Sequence, residues 1–209
     1  MSNIIENYGW DTVTGPESCG YIAPEILDIL ENLKVKRVCD LGSGNGALVA
    51  TMRQAGYYAV GVEQDKKGIA LSQKNYPDVN FYNLGVHDDP AQLLTIEDGG
   101  FDAVVSTEVV EHLFSPHLLP IFARKLLYSG GFLIVSTPYH GYLKNLALSI
   151  FNKWDKHHTA LWHGGHIKFW SRKTLSQLLE QNGFRVVAFH GAGRFPYLWK
   201  SMILVAKMV

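Results

Sequence analysis

The stretch VVSTEVVEHLF, residues 104–114, sets Glu108, Glu111 and His112 directly behind a run of apolar β-formers. Spacings of three and four residues would put all three on one side of a helical turn. Two carboxylates and an imidazole can hold a divalent cation such as Mg²⁺, or serve as an acid–base pair. The same residues also suit the polar first turn of an ordinary helix capped by Thr107, because acids there complement the helix dipole. A second concentration of chemistry lies further on. Five of the nine histidines, at 140, 157, 158, 163 and 166, fall within residues 140–173. Histidine suits proton transfer near neutral pH, and His166, then His140, are the candidate general bases. His163-Gly-Gly-His166 has a spacing that zinc sites use, but no cysteine accompanies it.

A different chemistry is written earlier in the chain. Asp40-Leu41-Gly42-Ser43-Gly44-Asn45-Gly46 runs from an apolar strand pattern into a helical one. Glycines at such a junction let a ligand reach backbone N–H groups at the helix start. The spacing G-x-G-x-G departs from the dinucleotide fingerprint, and Asp40 would repel a pyrophosphate yet could hold an ammonium. Seventeen residues beyond Gly46, Glu63 closes the next strand pattern, where an acid accepts hydrogen bonds from ribose hydroxyls.

The elements that must position these groups alternate. Helical periodicity covers about 22–33, 46–56, 66–75 and 115–128. Strand patterns cover 37–42, 58–63, 80–86, 101–107 and 131–138. Ser171 caps a further helix that Gly183 ends, and two closing strands without a full helix between them, 184–193 and 201–209, should pair antiparallel. The expected architecture is α/β: a doubly wound, mostly parallel seven-stranded sheet, Rossmann-like, with a C-terminal antiparallel pair, in one domain over 1–209.

Composition agrees. Of 209 residues, 47% are hydrophobic and 18% charged, which is a globular balance. Nineteen basic residues against nineteen acidic ones argue against a nucleic-acid binder. The opening MSNIIENYGW shows no secretory pattern, no apolar run approaches a membrane span, and two cysteines make no disulfide framework, so a cytoplasmic address is expected. Charge is uneven, however. Residues 140–173 carry six cations against the lone Asp155, a local +5.

The segments CDLGSGNGAL, STEVVEHL, LIVSTP and HIKFWSRKTLSQLLEQNGF together resemble the class I S-adenosylmethionine-dependent methyltransferases, and within them the O-methyltransferases of ubiquinone biosynthesis. The resemblance covers roughly residues 20–209. It implies S-adenosylmethionine as cofactor, with Asp40, Gly42, Ser43, Gly44, Asn45 and Gly46 around its methionine part. It places Glu63 and Gln64 at the ribose, Leu84, Gly85 and Val86 beside the adenine, and Thr107 and Glu108 beneath the cofactor. Many relatives carry an acid where Gly85 stands, and Asp88 or a backbone group is the expected substitute. In the ubiquinone-type relatives the match to Glu108, Glu111 and His112 is a divalent-cation site. The implied activity is O-methylation of a small aromatic or lipid-like hydroxyl compound. N- or C-methylation of a glycan or natural-product precursor, and a non-catalytic cofactor-binding subunit, are the alternatives.

Residues 1–20 are expected to fold over the cofactor, with Tyr8 and Trp10 as the contacts. Residues 139–170 read as a substrate lid. Within them Leu143, Leu146, Ala147, Ile150, Phe151 and Trp154 recur at helical spacing opposite Lys144, Asn145, Asn152, Lys153 and Lys156. That helix, 142–156, either covers an acceptor pocket lined by Tyr139, Trp162 and Trp170 or makes a peripheral membrane contact.

Overall fold

The computed structural model describes residues 15–158, 161 and 165–209. Tyr8, Trp10, Trp162 and His163 therefore lie outside the described residues. In chain order the elements are α1 (Glu17–Leu33), β1 (Arg37–Leu41), α2 (Ala47–Gln54), β2 (Tyr58–Glu63), α3 (Lys66–Asn75), β3 (Phe81–Asn83), α4 (Ala91–Ile96) and β4 (Phe101–Thr107). A single 3₁₀ turn, Val110–His112, follows. Then come α5 (Leu118–Leu126), β5 (Leu127–Pro138), α6 (Tyr142–Ile150), α7 (Trp154–His158), α8 (Arg172–Gln181), β6 (Phe184–Ala192) and β7 (Ser201–Met208).

The seven strands form one sheet in the order β3-β2-β1-β4-β5-β7-β6. The β1–β2, β1–β4, β2–β3 and β4–β5 pairs are parallel, whereas β7 lies antiparallel to both β5 and β6. Central strands buried on both faces need continuous apolar runs, and Val38, Cys39, Ala103, Val104, Val105, Leu133, Ile134 and Val135 are all fully covered. One core cluster centres on Phe101, Phe122 and Phe184 and the other on Ile26, Leu30 and Met52, so helices pack on both faces. The order in which strands are added reverses between β1 and β4, which remain parallel, and ligands of open α/β sheets bind outside the strand ends at such a switch point. Asp40, Glu63 and Thr107 all sit at that end.

Three local expectations change. Strand 80–86 shortens to three residues, so Leu84–Val86 leave the sheet as a loop. The expected helix 142–156 breaks at 151–153, where Asn152 adopts φ 48°. Its facing is also inverted. Leu143, Ile150 and Phe151 stand exposed, while Lys144 is buried and donates its ammonium to the Lys200 carbonyl at 3.2 Å. Among the described residues no helix is long and apolar enough to cross a membrane.

Candidate active site

Strand β1 delivers Asp40 into the interior, and the chain leaves it through Gly42, Gly44 and Gly46, all at positive φ. The requirement for glycine is steric as well as conformational at Gly42, where a Cβ would stand 2.4 Å from Val109 Cγ2. At Gly46 a Cβ would meet Phe81 at 2.7 Å and Ser72 at 2.8 Å, so this glycine seats α2 against its neighbours. Glu63 organises the loop from the next strand: its two carboxylate oxygens accept Gly44 N–H at 2.8 Å and Asp65 N–H at 2.7 Å. Burial raises the Glu63 carboxyl above the usual range against the pull of those donors.

A cavity of about 390 Å³ opens beside this loop. Asp40, Gly42, Ser43, Asn45, Glu63, Gln64, Leu84, Gly85, Val86, Thr107 and Glu108 line it, whereas Gly44 and Gly46 support it from behind. Two polar atoms in it, Asp40 Oδ1 and Ser43 Oγ, are buried with no hydrogen-bond partner among the described residues. Such atoms cost about 1–3 kcal/mol each unless a ligand satisfies them. An ammonium and a hydroxyl would do so. Burial, with Glu63 nearby, pushes the Asp40 carboxyl up to about 8. Asp88 does not reach across as an adenine acid; it folds back so that Oδ2 accepts Gly85 N–H at 2.7 Å. Val109, Leu113, His112 and the first turns of α1 complete the wall. Those apolar contributions have no polar signature in the sequence.

The Glu108 region is not the start of an ordinary helix. Thr107 ends β4, Glu108 takes a left-handed φ of 55°, and only the one 3₁₀ turn follows. Ser136 explains the conformation: it receives Glu108 N–H and returns its own hydroxyl to Glu108 Oε1 at 2.8 Å. Burial pushes the Glu108 carboxyl up to about 7, although hydroxyls of Ser136 and Ser201 favour its charged form. Glu111 points elsewhere. It is fully buried, with Oε2 accepting from Thr137 at 3.0 Å and Oε1 left without a hydrogen bond. Burial and the Glu108 charge raise the Glu111 carboxyl well above the normal range.

His166 reaches this pair because its loop is tied down. Ile167 and Lys168 N–H both donate to the Glu111 carbonyl, and Gly165 O lies 3.3 Å from His112 Nδ1. His166 Nε2 then stands 4.0 Å from Glu111 Oε1, and its ring packs edge-on to His112 at 4.9 Å. Burial and His112 lower the His166 ring to about 4. The ring is therefore neutral near pH 7, and its contact with Glu111 is not an ion pair. Ligand atoms of Glu111, His112 and His166 all lie within 4.8 Å of one another, a grouping in which His166 stands where the sequence pattern had Glu108.

A second cavity, of about 700 Å³, lies on the β7 side and shares Ser18, Glu108 and His166 with the first. His140 lines neither cavity; it packs against His157, His158 and Phe169. Tyr139 turns away onto Trp199, and Trp170 joins the apolar core. The aromatic side chains that do reach the second cavity are Tyr21, Phe151 and Phe195.

Comparison with known proteins fits this geometry. A family model described as a methyltransferase domain matches residues 19–188. A ubiquinone biosynthesis O-methyltransferase of Ruegeria sp. (strain TM1040) is 29% identical over 172 residues, covering 80% of this chain and 67% of the relative. Its counterpart in Caulobacter sp. (strain K31) is 33% identical over 114 residues, 54% of this chain and 44% of that one. Among solved structures, magnesium protoporphyrin IX methyltransferase from Synechocystis PCC 6803 with bound SAH superposes with TM-score 0.63 at 21% identity, covering 90% of this chain and 82% of that chain. The 1,6-didemethyltoxoflavin-N1-methyltransferase of Burkholderia thailandensis gives 0.62 at 17% identity, over 90% and 77% of the two chains. With its glycine loop, its switch-point cavity and a matching model over most of its length, the chain belongs to the S-adenosylmethionine-dependent methyltransferases of the methyltransferase domain family.

Proposed function

We propose that this enzyme methylates the hydroxyl oxygen of a small acceptor that occupies the second cavity, with the cofactor in the first. The observation that carries the reading is the wall the two cavities share, Glu108 and His166, which puts two proton-handling groups between them. S-adenosylmethionine supplies an electrophilic sulfonium methyl, so the protein's task is chiefly alignment and removal of the acceptor's proton. Asp40 holds the cofactor's ammonium, and Glu63, already ordering the glycine loop, accepts from its ribose. Leu84, Gly85 and Val86, which line the same cavity, border the adenine. His166, neutral at working pH, takes the acceptor proton. The relatives named for ubiquinone biosynthesis support oxygen as the methylated atom.

A divalent cation is the second reading, and it is favoured by the unpartnered Oε1 of Glu111 beside two imidazoles. One carboxylate and two histidines suit Mn²⁺, Fe²⁺ or Zn²⁺ better than Mg²⁺, which prefers oxygen donors. Held there by Glu111, His112 and His166, such an ion would lower the acceptor's pKa. Glu108 stays with Ser136 in either reading.

Methyl transfer to a panel of catechols, phenols and arylamines tests the proposal. Hydroxyl acceptors are expected to turn over at least tenfold faster than amines of the same shape. Faster transfer to the amines would overturn the choice of oxygen.

A further inference from the structure

The cations of the second cavity are more numerous than the fold needs. Lys144, Lys153, Arg194 and Lys200 all line it. Lys200 is matched by Glu17, with which it forms an ion pair. The other three form no ion pair among the described residues, and the remaining acid on the wall is Glu108. Lys144 is the telling one. It is only 9% exposed, and one hydrogen bond, to the Lys200 carbonyl, is its partner there. A buried ammonium is costly to keep without an opposing charge. Burial and Arg194 draw its amine down to about 8, against the pull of Glu108, the one acid that offsets it. None of these three lines the cofactor cavity, so the cofactor's own carboxylate does not account for them.

Beside these cations and the polar side chains of Glu108, His157, His166 and Ser201, the lining carries a substantial apolar part. Ala147, Leu148 and Phe151 come from the α6 end, and Phe195 and Leu198 from the connection between β6 and β7. Cations and hydrocarbon in one cavity define what complements them. Resting on the acceptor role given to this cavity above, we propose that the methyl acceptor is an amphipathic acid. Its apolar body lies against Leu148, Phe151 and Phe195, and its carboxylate or phosphate is held by Lys144 and Arg194. Its hydroxyl then faces Glu108 and His166. The anion also sets an opposing charge beside the Lys144 ammonium and favours its protonated form.

Titration of the S-adenosylhomocysteine-loaded enzyme with 2-naphthoate, 2-naphthyl phosphate and 2-naphthol tests this. At least one anion is expected to bind tenfold or more tighter than the neutral alcohol, and the preferred arm tells carboxylate from phosphate. Arg194→Gln, at an exposed position, and Lys144→Met should each bring the preferred anion to within threefold of 2-naphthol. Retained S-adenosylhomocysteine affinity certifies that each variant is folded. Equal binding of all three probes to the parent, or an unchanged anion preference in Arg194→Gln and in any folded Lys144→Met protein, would overturn the proposal. Methylation is scored separately with 3-hydroxy-2-naphthoate. Tight anion binding with no transfer would sink the O-methylation reading while the anion site stands.

Discussion

Asp40→Asn is expected to weaken S-adenosylmethionine binding about a hundredfold while making the unliganded protein more heat-stable. Both effects have one origin. The Asp40 carboxyl is fully buried, its Oδ1 has no hydrogen bond, and its pKa stands at about 8. An unfolded aspartate ionises near 3.9. Between those values the unfolded chain gives up a proton that the folded one retains. The group's contribution to stability is therefore fully present below about pH 4 and is lost as pH rises through 8. Asparagine cannot ionise, so its melting-temperature advantage should be negligible at pH 4 and reach about 5 °C at pH 8, for roughly 2 kcal/mol in a domain of this size. Cofactor binding runs the other way. A cationic ligand favours the carboxylate, so the parent's affinity should rise with pH between about 6 and 8, approaching tenfold per unit, with proton release on binding. The variant should show neither the slope nor the proton release. Losing one partner of a buried charge pair costs about 3 kcal/mol, which is the hundredfold. Calorimetry at pH 6, 7 and 8 and thermal melts from pH 4 to pH 8 measure all of this. Tight, pH-independent binding by the variant would remove Asp40 from the cofactor site.

His166→Ala is expected to lower kcat by about 10²–10³ at saturating cofactor, the usual worth of a positioned base, with cofactor affinity changed less than threefold. The split matters because His166 lines both cavities, and a merely structural loss would move both quantities. Dialysis against a chelator separates the two roles open to the ring. A base leaves activity indifferent to chelation and to added Mn²⁺ or Zn²⁺. A cation ligand makes the parent lose activity on chelation and recover it on add-back, with little recovery in the variant. Full activity in His166→Ala would defeat both.

The half of the site proposed for the cofactor was legible in sequence because its requirements are local. A strand must end in Asp40, the backbone must turn through Gly42, Gly44 and Gly46, and an acid must close the next strand. Each is a nearest-neighbour demand that leaves a residue-type mark. The acceptor half was not legible to the same degree. His166 reaches Glu111 through backbone bonds from Ile167 and Lys168 across more than fifty residues, and backbone donors carry no residue signature. Helix periodicity likewise misread α6. Periodicity sets Leu143, Leu146 and Ile150 on one face and Lys144 on the other, but Lys144 meets a carbonyl inside the fold, and that contact wins. The first-turn alternative for Glu111 failed for a related reason, since the Ser136 hydroxyl engages Glu108 from a neighbouring strand and holds it left-handed.

That left-handed Glu108 bears on how the protein could change. A side chain other than glycine costs about 1 kcal/mol in this conformation, and a buried carboxylate adds to the cost. Selection for thermal robustness alone would therefore drift position 108 toward glycine or asparagine and erase the acid between the two cavities. Durability and the acid between the cavities pull against each other here, as stability and cofactor binding do at Asp40. A laboratory campaign that screens only for heat resistance is expected to enrich for replacements at Glu108 as well as at Asp40.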